Sequence, residues 1–164
     1  MGSVEETAAE TPVAQPRPLV PRLAVDDLVP HVAKRMEALD TAAEKISLDL
    51  GLLELVRTRA SQLNGCAYCT DAHAAEAISA GEHTRKLLSL PVWREAPFFT
   101  ERERAALGLT EAITRLTDGP VTDEVWDTAA KAFTEVELAE LVWSIAIINT
   151  WNRIAGPARP WEIE

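Results

Sequence analysis

The sequence predicts an all-α protein: a compact bundle of six to seven helices that carries a C-x-x-C site on an antiparallel helix pair and is oligomeric. No proline occurs from His31 to Leu90, and apolar residues in this stretch recur at helical spacing. No segment alternates polar and apolar residues long enough to predict a strand. Helix-start signals recur along the second half of the chain, so the pattern favours helices throughout.

The predicted helices begin and end at recognisable signals. In chain order they run from Asp26 or Asp27 to about Ile46, from about Asp49 to Asn64, from Cys66 to Ala80, from His83 to Leu90, from Thr100 to about Leu116, from Thr122 to Lys131, and from Thr134 to about Ala155. Pro30 falls in the first turn of the first helix, where proline is tolerated. Asn64-Gly65 suits a left-handed C-terminal cap. Thr100 and Thr134 each precede a glutamate by three residues, the spacing of a capping box.

Composition limits the classes of function. The chain has 164 residues, 47% hydrophobic and 26% charged, as expected for one soluble domain. It lacks the run of about 18 apolar residues that a membrane span needs. The formal net charge is −10, with 16 basic residues spread among 26 acidic ones, which argues against a nucleic-acid partner. The N-terminus lacks a signal-peptide pattern, so we expect a cytoplasmic protein.

Three regions are predicted along the chain. Five of the ten prolines lie within the first 30 residues, which favours a flexible arm over residues 1–22. The helical domain is expected to occupy residues 23–156. Residues 157–164 follow Gly156 and are predicted to form a C-terminal tail.

Two cysteines and a histidine form the chemical pattern. Cys66, Cys69 and His73 lie at i, i+3 and i+7, so they share one helix face. Cys66 is expected in the first turn, where free backbone N–H groups and the helix dipole favour a thiolate. His73 is one turn beyond Cys69 and two turns beyond Cys66. It is therefore better placed to act as a base toward Cys69.

A carboxylate is expected to join this pattern from the preceding helix. Glu54 lies twelve residues before Cys66, roughly 18 Å away along one continuous helix. If Asn64-Gly65 reverses the chain, however, Glu54 comes level with His73 and Glu76 on the next helix. This hairpin predicts an ordered set of carboxylate, imidazole and thiol.

These residues carry a family resemblance. Glu54, Cys66, Cys69 and His73 match the Glu-x11-Cys-x-x-Cys-x3-His signature, so the chain resembles the alkylhydroperoxidase D-like branch of the carboxymuconolactone decarboxylase family. Two further stretches also resemble that family, Trp93–Phe99 and Ile145–Ala155. The similarity covers roughly residues 23–156.

The resemblance implies an all-helical trimer or hexamer that reduces small hydroperoxides with electrons from a dithiol. By position, Cys69 would attack the peroxide, Cys66 would resolve the sulfenic acid to a disulfide, and Glu54 with His73 would relay protons. No bound cofactor or metal is implied. Tyr68 stands where alkylhydroperoxidase D has a histidine, so the relay is expected to be shorter. True carboxymuconolactone decarboxylases lack the cysteine pair, which disfavours decarboxylation.

Other interpretations stay open at this point. Cys66, Cys69 and His73 could hold structural zinc, although a tetrahedral site needs a fourth ligand. The cysteine pair could instead pass electrons to a separate peroxidase, or serve as a redox sensor in a non-catalytic assembly. Tyr68 either donates a hydrogen bond to substrate or packs against a neighbouring helix.

The last helix predicts a homo-oligomer. From Leu141 to Trp151 its only polar residues are Ser144, Asn149 and Thr150. Such a helix is apolar almost all round and must be buried on nearly every side. A domain this small is expected to use a partner subunit for part of that burial.

Overall fold

A computed structural model describes residues 19–43 and 45–163, so the first 18 residues of the expected arm lie outside it. Within these ranges the protein is all-α without strands, which confirms the predicted fold class. The described residues form eight α-helices rather than six or seven. They are α1 (Val25–Leu28), α2 (Pro30–Ala43), α3 (Leu50–Asn64), α4 (Ala67–Ser79), α5 (Thr84–Ser89), α6 (Glu101–Thr114), α7 (Asp123–Ala132) and α8 (Glu135–Ala158). Short 3-10 turns follow α5 at Leu90–Val92 and α6 at Leu116–Asp118.

The additional helix arises because the predicted first helix is broken at Val29. Val29 has φ −133° and ψ 59°, outside the helical region, and separates α1 from α2. Proline disfavours the helical conformation in the residue before it. Pro30 therefore begins α2 instead of lying inside a longer helix.

The helix pair α3 and α4 forms the predicted hairpin. Asp49 caps α3 by accepting the backbone N–H of Leu52. Gly65 ends the helix with φ 67° and ψ 29°, the left-handed conformation that glycine adopts without steric cost. The chain then reverses into α4, so the two helices lie antiparallel.

The core is built around α3, which packs against α4, α6 and α8. The fully buried apolar side chains of this core include Leu55, Val56, Leu107, Leu109, Leu141 and Ile145. Both predicted capping boxes are present, at Thr100 with Glu103 and at Thr134 with Glu137. These caps fix the starts of α6 and α8, the two long helices against which α3 packs.

Helix α8 continues three residues beyond its predicted end, through Gly156 and Pro157 to Ala158. The N-terminal segment stabilises this extension, because the backbone N–H of Leu23 donates to Ala158 O at 3.0 Å. Arg22 also donates through Nη1 to Pro157 O at 3.3 Å. The two ends of the described chain therefore lie together.

Two large apolar side chains of α8 stay outside the single-chain core. Val136, in the first turn, is 66% exposed. Trp143 is 61% exposed, although most of its neighbours on α8 are buried. The homo-oligomer remains a prediction. Within the described ranges, no helix is both long enough and apolar enough to span a membrane.

Candidate active site

The two cysteines occupy different positions at the start of α4. Cys66 is the N-cap residue, one position earlier than predicted, and its Sγ accepts the backbone N–H of Cys69 at 3.3 Å. Cys69 lies inside the first turn. The two residues form a disulfide with their Cα atoms 5.4 Å apart. The free N–H groups at the helix end therefore act most directly on the sulfur of Cys66.

Glu54 and His73 meet across the hairpin, as the sequence argument predicts. His73 Nδ1 lies 2.8 Å from Glu54 Oε2. Glu54 is completely buried on α3, whereas the His73 side chain is 19% exposed on α4. Because an ionised carboxylate only accepts hydrogen bonds, Nδ1 carries the proton of this contact. The other ring nitrogen, Nε2, is then free to accept a proton.

Arg57 completes the surroundings of Glu54 and was missed by the sequence argument. Its Nη1 donates to Glu54 Oε1 at 2.7 Å, and its side chain is only 10% exposed. Burial alone would raise the pKa of Glu54, but the hydrogen bond and charge of His73, with the charge of Arg57, lower it below the usual value. Glu54 is therefore ionised at neutral pH. The i, i+3 spacing of Glu54 and Arg57 was the available signal.

A second carboxylate reaches the same histidine nitrogen. Glu76 Oε2 lies 3.2 Å from His73 Nδ1, and its side chain is 60% exposed. Partial burial and the nearby negative charge of Glu54 raise the pKa of Glu76. Glu54 is the nearer acceptor of the histidine proton, at 2.8 Å against 3.2 Å for Glu76.

A pocket of about 300 Å³ opens beside Cys69, and we call it the Cys69 pocket. Its lining residues are Asp26, Glu37, Asp40, Tyr68, Cys69, Ala72, His73, Glu76, Ile148, Trp151 and Trp161. Both cysteines are largely buried, but only Cys69 is among these lining residues. The pocket therefore gives an incoming molecule access to Cys69 and His73 together.

Three aromatic rings form one wall of this pocket. Tyr68 packs on Trp161 with ring centroids 4.8 Å apart, and Trp151 meets Trp161 edge-on at 5.9 Å. Trp161 Nε1 donates to Asp26 Oδ2 at 3.1 Å, which ties the C-terminal tail to α1. Trp161 was not singled out from the sequence, and Asp26 was considered there only as a possible start of the first helix. Tyr68 packs on the Trp161 ring and lines the pocket, and its hydrogen bond to a substrate stays a prediction.

A polar network anchors the turn that leads into Cys66. Asn64 Nδ2 donates to Asn149 Oδ1 at 3.0 Å and to Asn152 Oδ1 at 2.8 Å. Asn152 Nδ2 in turn donates to Ser61 Oγ at 3.0 Å. These bonds join the end of α3 to α8. Because the planar side-chain amides of Asn64 and Asn152 donate in fixed directions, these hydrogen bonds hold the turn between α3 and α4 in one orientation.

One group of side chains is spaced to hold a metal ion. Glu54, His73 and Glu76 each offer a ligand atom, and these atoms lie within 4.8 Å of one another. The guanidinium of Arg57 beside Glu54 opposes a cation there. The alternative zinc site would use Cys66 and Cys69 as thiolates, and they do not have that form in a disulfide.

Comparison with known proteins agrees with the signature. The model of the carboxymuconolactone decarboxylase family matches residues 30–112. The uncharacterized protein YdfG of Bacillus subtilis (strain 168) is 34% identical over 134 residues, covering 82% of this chain and 91% of that protein.

Solved structures share the fold. A protein of unknown function from Agrobacterium tumefaciens, proposed to be the antioxidant defence protein AhpD, has a TM-score of 0.84 and 33% identity. That similarity covers 87% of this chain and 97% of the other. A peroxidase-related AhpD core protein from Ralstonia eutropha JMP134 has a TM-score of 0.74 and 19% identity over 85% of this chain and 75% of its own. The chain therefore belongs to the carboxymuconolactone decarboxylase family, in its alkylhydroperoxidase D-like branch.

Proposed function

We propose that the protein is a thiol-dependent peroxidase that reduces hydroperoxides through Cys69 and Cys66, with Glu54 and His73 as the proton relay. The observation that carries the proposal is the arrangement of the Cys69 pocket. It exposes one sulfur of a redox pair together with a histidine that a buried, ionised carboxylate orients. Peroxide reduction needs a thiolate, a base to form it and an open approach.

In the first step His73 Nε2 takes the proton of the Cys69 thiol. The thiolate then attacks the terminal oxygen of the hydroperoxide, and the O–O bond breaks. The alkoxide that leaves takes the proton back from His73 and departs as an alcohol. Sulfur is oxidised to sulfenic acid while the peroxide is reduced, so one thiol and one hydroperoxide give one sulfenic acid and one alcohol.

In the second step Cys66 attacks the sulfur of the Cys69 sulfenic acid. Hydroxide leaves with the Cys66 proton as water, and the disulfide forms. An external dithiol then attacks the disulfide at Cys69, the sulfur that lines the pocket. Cys66 is the leaving thiolate, and the backbone N–H of Cys69 stabilises its charge. The external dithiol is oxidised in turn, so the cycle is closed without a bound cofactor.

Stopped-flow oxidation of the reduced protein by hydrogen peroxide and by cumene hydroperoxide tests the proposal. Trp151 and Trp161 lie at the pocket and provide a fluorescence signal. We expect oxidation far faster than that of a free small thiol, followed by disulfide formation. Oxidation no faster than that of the free thiol would refute peroxidase activity.

Matched serine variants assign the two roles. Cys66→Ser is expected to react once with peroxide and to accumulate a sulfenic acid that a dimedone reagent traps. Cys69→Ser is expected neither to trap the reagent nor to turn over. The reverse pattern would exchange the roles of the cysteines.

The alternative of a disulfide relay to a separate peroxidase is favoured by the same access to Cys69. A relay would exchange electrons with small disulfides and dithiols but would not consume peroxide in these assays. Thiol exchange without peroxide consumption would therefore select the relay.

A further inference from the structure

The Cys69 pocket combines a negative wall with an aromatic one. Four of its lining residues carry carboxylates: Asp26, Glu37, Asp40 and Glu76. No lysine or arginine is among the lining residues of the described chain. Because carboxylates are ordinarily ionised at neutral pH, Asp26, Glu37 and Asp40 give the pocket a negative potential toward a molecule that approaches Cys69.

Among the residues that the structure describes, Asp26, Glu37 and Asp40 form no ion pair. Asp26 accepts a hydrogen bond from the neutral indole of Trp161, which leaves its charge in place. Glu37 and Asp40 lie one turn apart on α2, on the same face of that helix. The formal net charge of −10 adds to the same field. An anionic molecule therefore meets repulsion along its path into the pocket.

The remaining wall is suited to an apolar body. Tyr68, Trp151 and Trp161 present three rings, and Ile148 and Ala72 add aliphatic surface. Aromatic side chains supply large apolar contact with few rotatable bonds. The volume of about 300 Å³ is at the lower end for sites of small organic molecules. A compact hydrocarbon or aromatic group fits this wall better than an extended chain.

We infer that the Cys69 pocket selects uncharged organic hydroperoxides with a compact apolar or aromatic body and rejects hydroperoxides that carry a carboxylate. The inference rests on the proposed peroxidase function and adds the substrate class. The aromatic wall binds the body of the substrate, and the carboxylates exclude its anionic counterparts. The chemistry of oxygen transfer to Cys69 is unchanged.

The test compares two substrates that share the same aromatic body and hydroperoxide group but differ in charge. One is cumene hydroperoxide carrying a para carboxylate, and the other is the methyl ester of the same compound. Stopped-flow oxidation of the reduced full-length protein should be roughly tenfold or more faster with the ester at low salt. The difference should shrink at about 1 M salt, where the Debye length is about 3 Å. Equal rates for the two compounds at low salt would overturn the inference.

A pair of variants assigns the discrimination to the pocket. The double variant Glu37→Gln with Asp40→Asn should raise the rate of the carboxylate compound toward that of the ester. Asp127→Asn removes an exposed charge on α7, whose residues do not line the pocket, and should keep the full discrimination. An unchanged ratio in the double variant would overturn the inference.

A second readout does not depend on peroxidase activity. Methanethiosulfonate reagents carrying a trimethylammonium or a sulfonate group label Cys69 in reduced Cys66→Ser. After normalisation to a free small thiol, the cationic reagent should react roughly tenfold or more faster. If this preference is found but no hydroperoxide is reduced, the proposed function fails while the pocket charge stands. If hydroperoxides are reduced but the reagents react equally, the substrate class is overturned and the function stands.

Discussion

Glu54 on α3 and Glu111 on α6 are two buried carboxylates that accept hydrogen bonds from different kinds of side chain. Glu111 accepts hydrogen bonds from Arg59 at 2.8 Å, from the Trp93 indole at 2.9 Å and from Arg94. Burial alone would raise the pKa of Glu111, but these three donors lower it. The pKa of Glu54 is also lowered, by His73 and Arg57 against burial.

The difference lies in which donors can release a proton. Arginine and tryptophan keep their protons at every physiological pH, so the Glu111 cluster has one protonation state. Histidine is the side chain that exchanges protons near neutral pH, and His73 also lines the Cys69 pocket. The two sites show that a buried carboxylate becomes a candidate for catalysis through a titratable partner that faces an opening. Burial and a lowered pKa alone do not distinguish it.

The largest effect is expected for Glu111→Gln, measured as the free energy of unfolding in urea. The change leaves Arg59, whose side chain is only 11% exposed, without its counter-charge. Breaking a buried ion pair on one side costs about 3 kcal/mol or more. The rate of peroxide oxidation should be unchanged in the folded fraction. A stability loss below about 1 kcal/mol would show that Glu111 is not the centre of this cluster.

The next largest effect is expected for the matching substitution in the candidate site, Glu54→Gln. Glu54→Gln keeps the volume and one acceptor but removes the charge that holds the His73 proton at Nδ1. We expect the first oxidation of Cys69 to slow by about 10- to 100-fold, the usual cost of losing an orienting partner. Single-turnover stopped flow measures this rate. A rate equal to that of the unmodified protein would mean that His73 is oriented without Glu54.

The pH dependence of stability should also reflect both carboxylates. Each has a folded-state pKa below the usual value of 4.5, so the folded state binds fewer protons than the unfolded state. Their stabilisation is complete above that value and is lost as the pH falls through the lowered pKa. Urea unfolding between pH 6 and about pH 3 should therefore show a smaller acid loss in Glu111→Gln. An equal fall of the unfolding free energy with pH in Glu111→Gln and in the unmodified protein would contradict this expectation.

Part of the candidate site follows from local sequence. The contact between Glu54 and His73 is predictable because Asn64-Gly65 marks the reversal. The helical rise then brings Glu54, eleven residues before Gly65, level with the residues eight to eleven after it, which include His73. The cysteine positions on α4 follow from the same count. Local spacing is sufficient here because the whole motif lies within one hairpin.

The rest depends on how distant segments pack. Trp161 reaches Asp26 across 135 positions of the chain, through the docking of the tail on α1. Spacing along the sequence carries no information on such a contact. The Glu111 cluster likewise joins α3, α6 and the segment after α5. From the sequence alone its charged residues look like those of a solvent-exposed helix face, because the contacts form only when the helices pack together.

The smallest effects are expected at the helix starts that support the two carboxylates. Asp49 caps α3 by accepting the Leu52 N–H at 3.1 Å, and Thr100 caps α6 by accepting the Glu103 N–H at 3.2 Å. Asp49→Ala and Thr100→Ala should each lower the free energy of unfolding by about 1 kcal/mol. Neither should change the rate of peroxide oxidation, because Glu54 lies more than one turn inside α3 and is held by Arg57 and His73. Urea unfolding and single-turnover oxidation of both variants test this. A slower oxidation in Asp49→Ala alone would show that the backbone at the start of α3, rather than these two side-chain partners, positions Glu54.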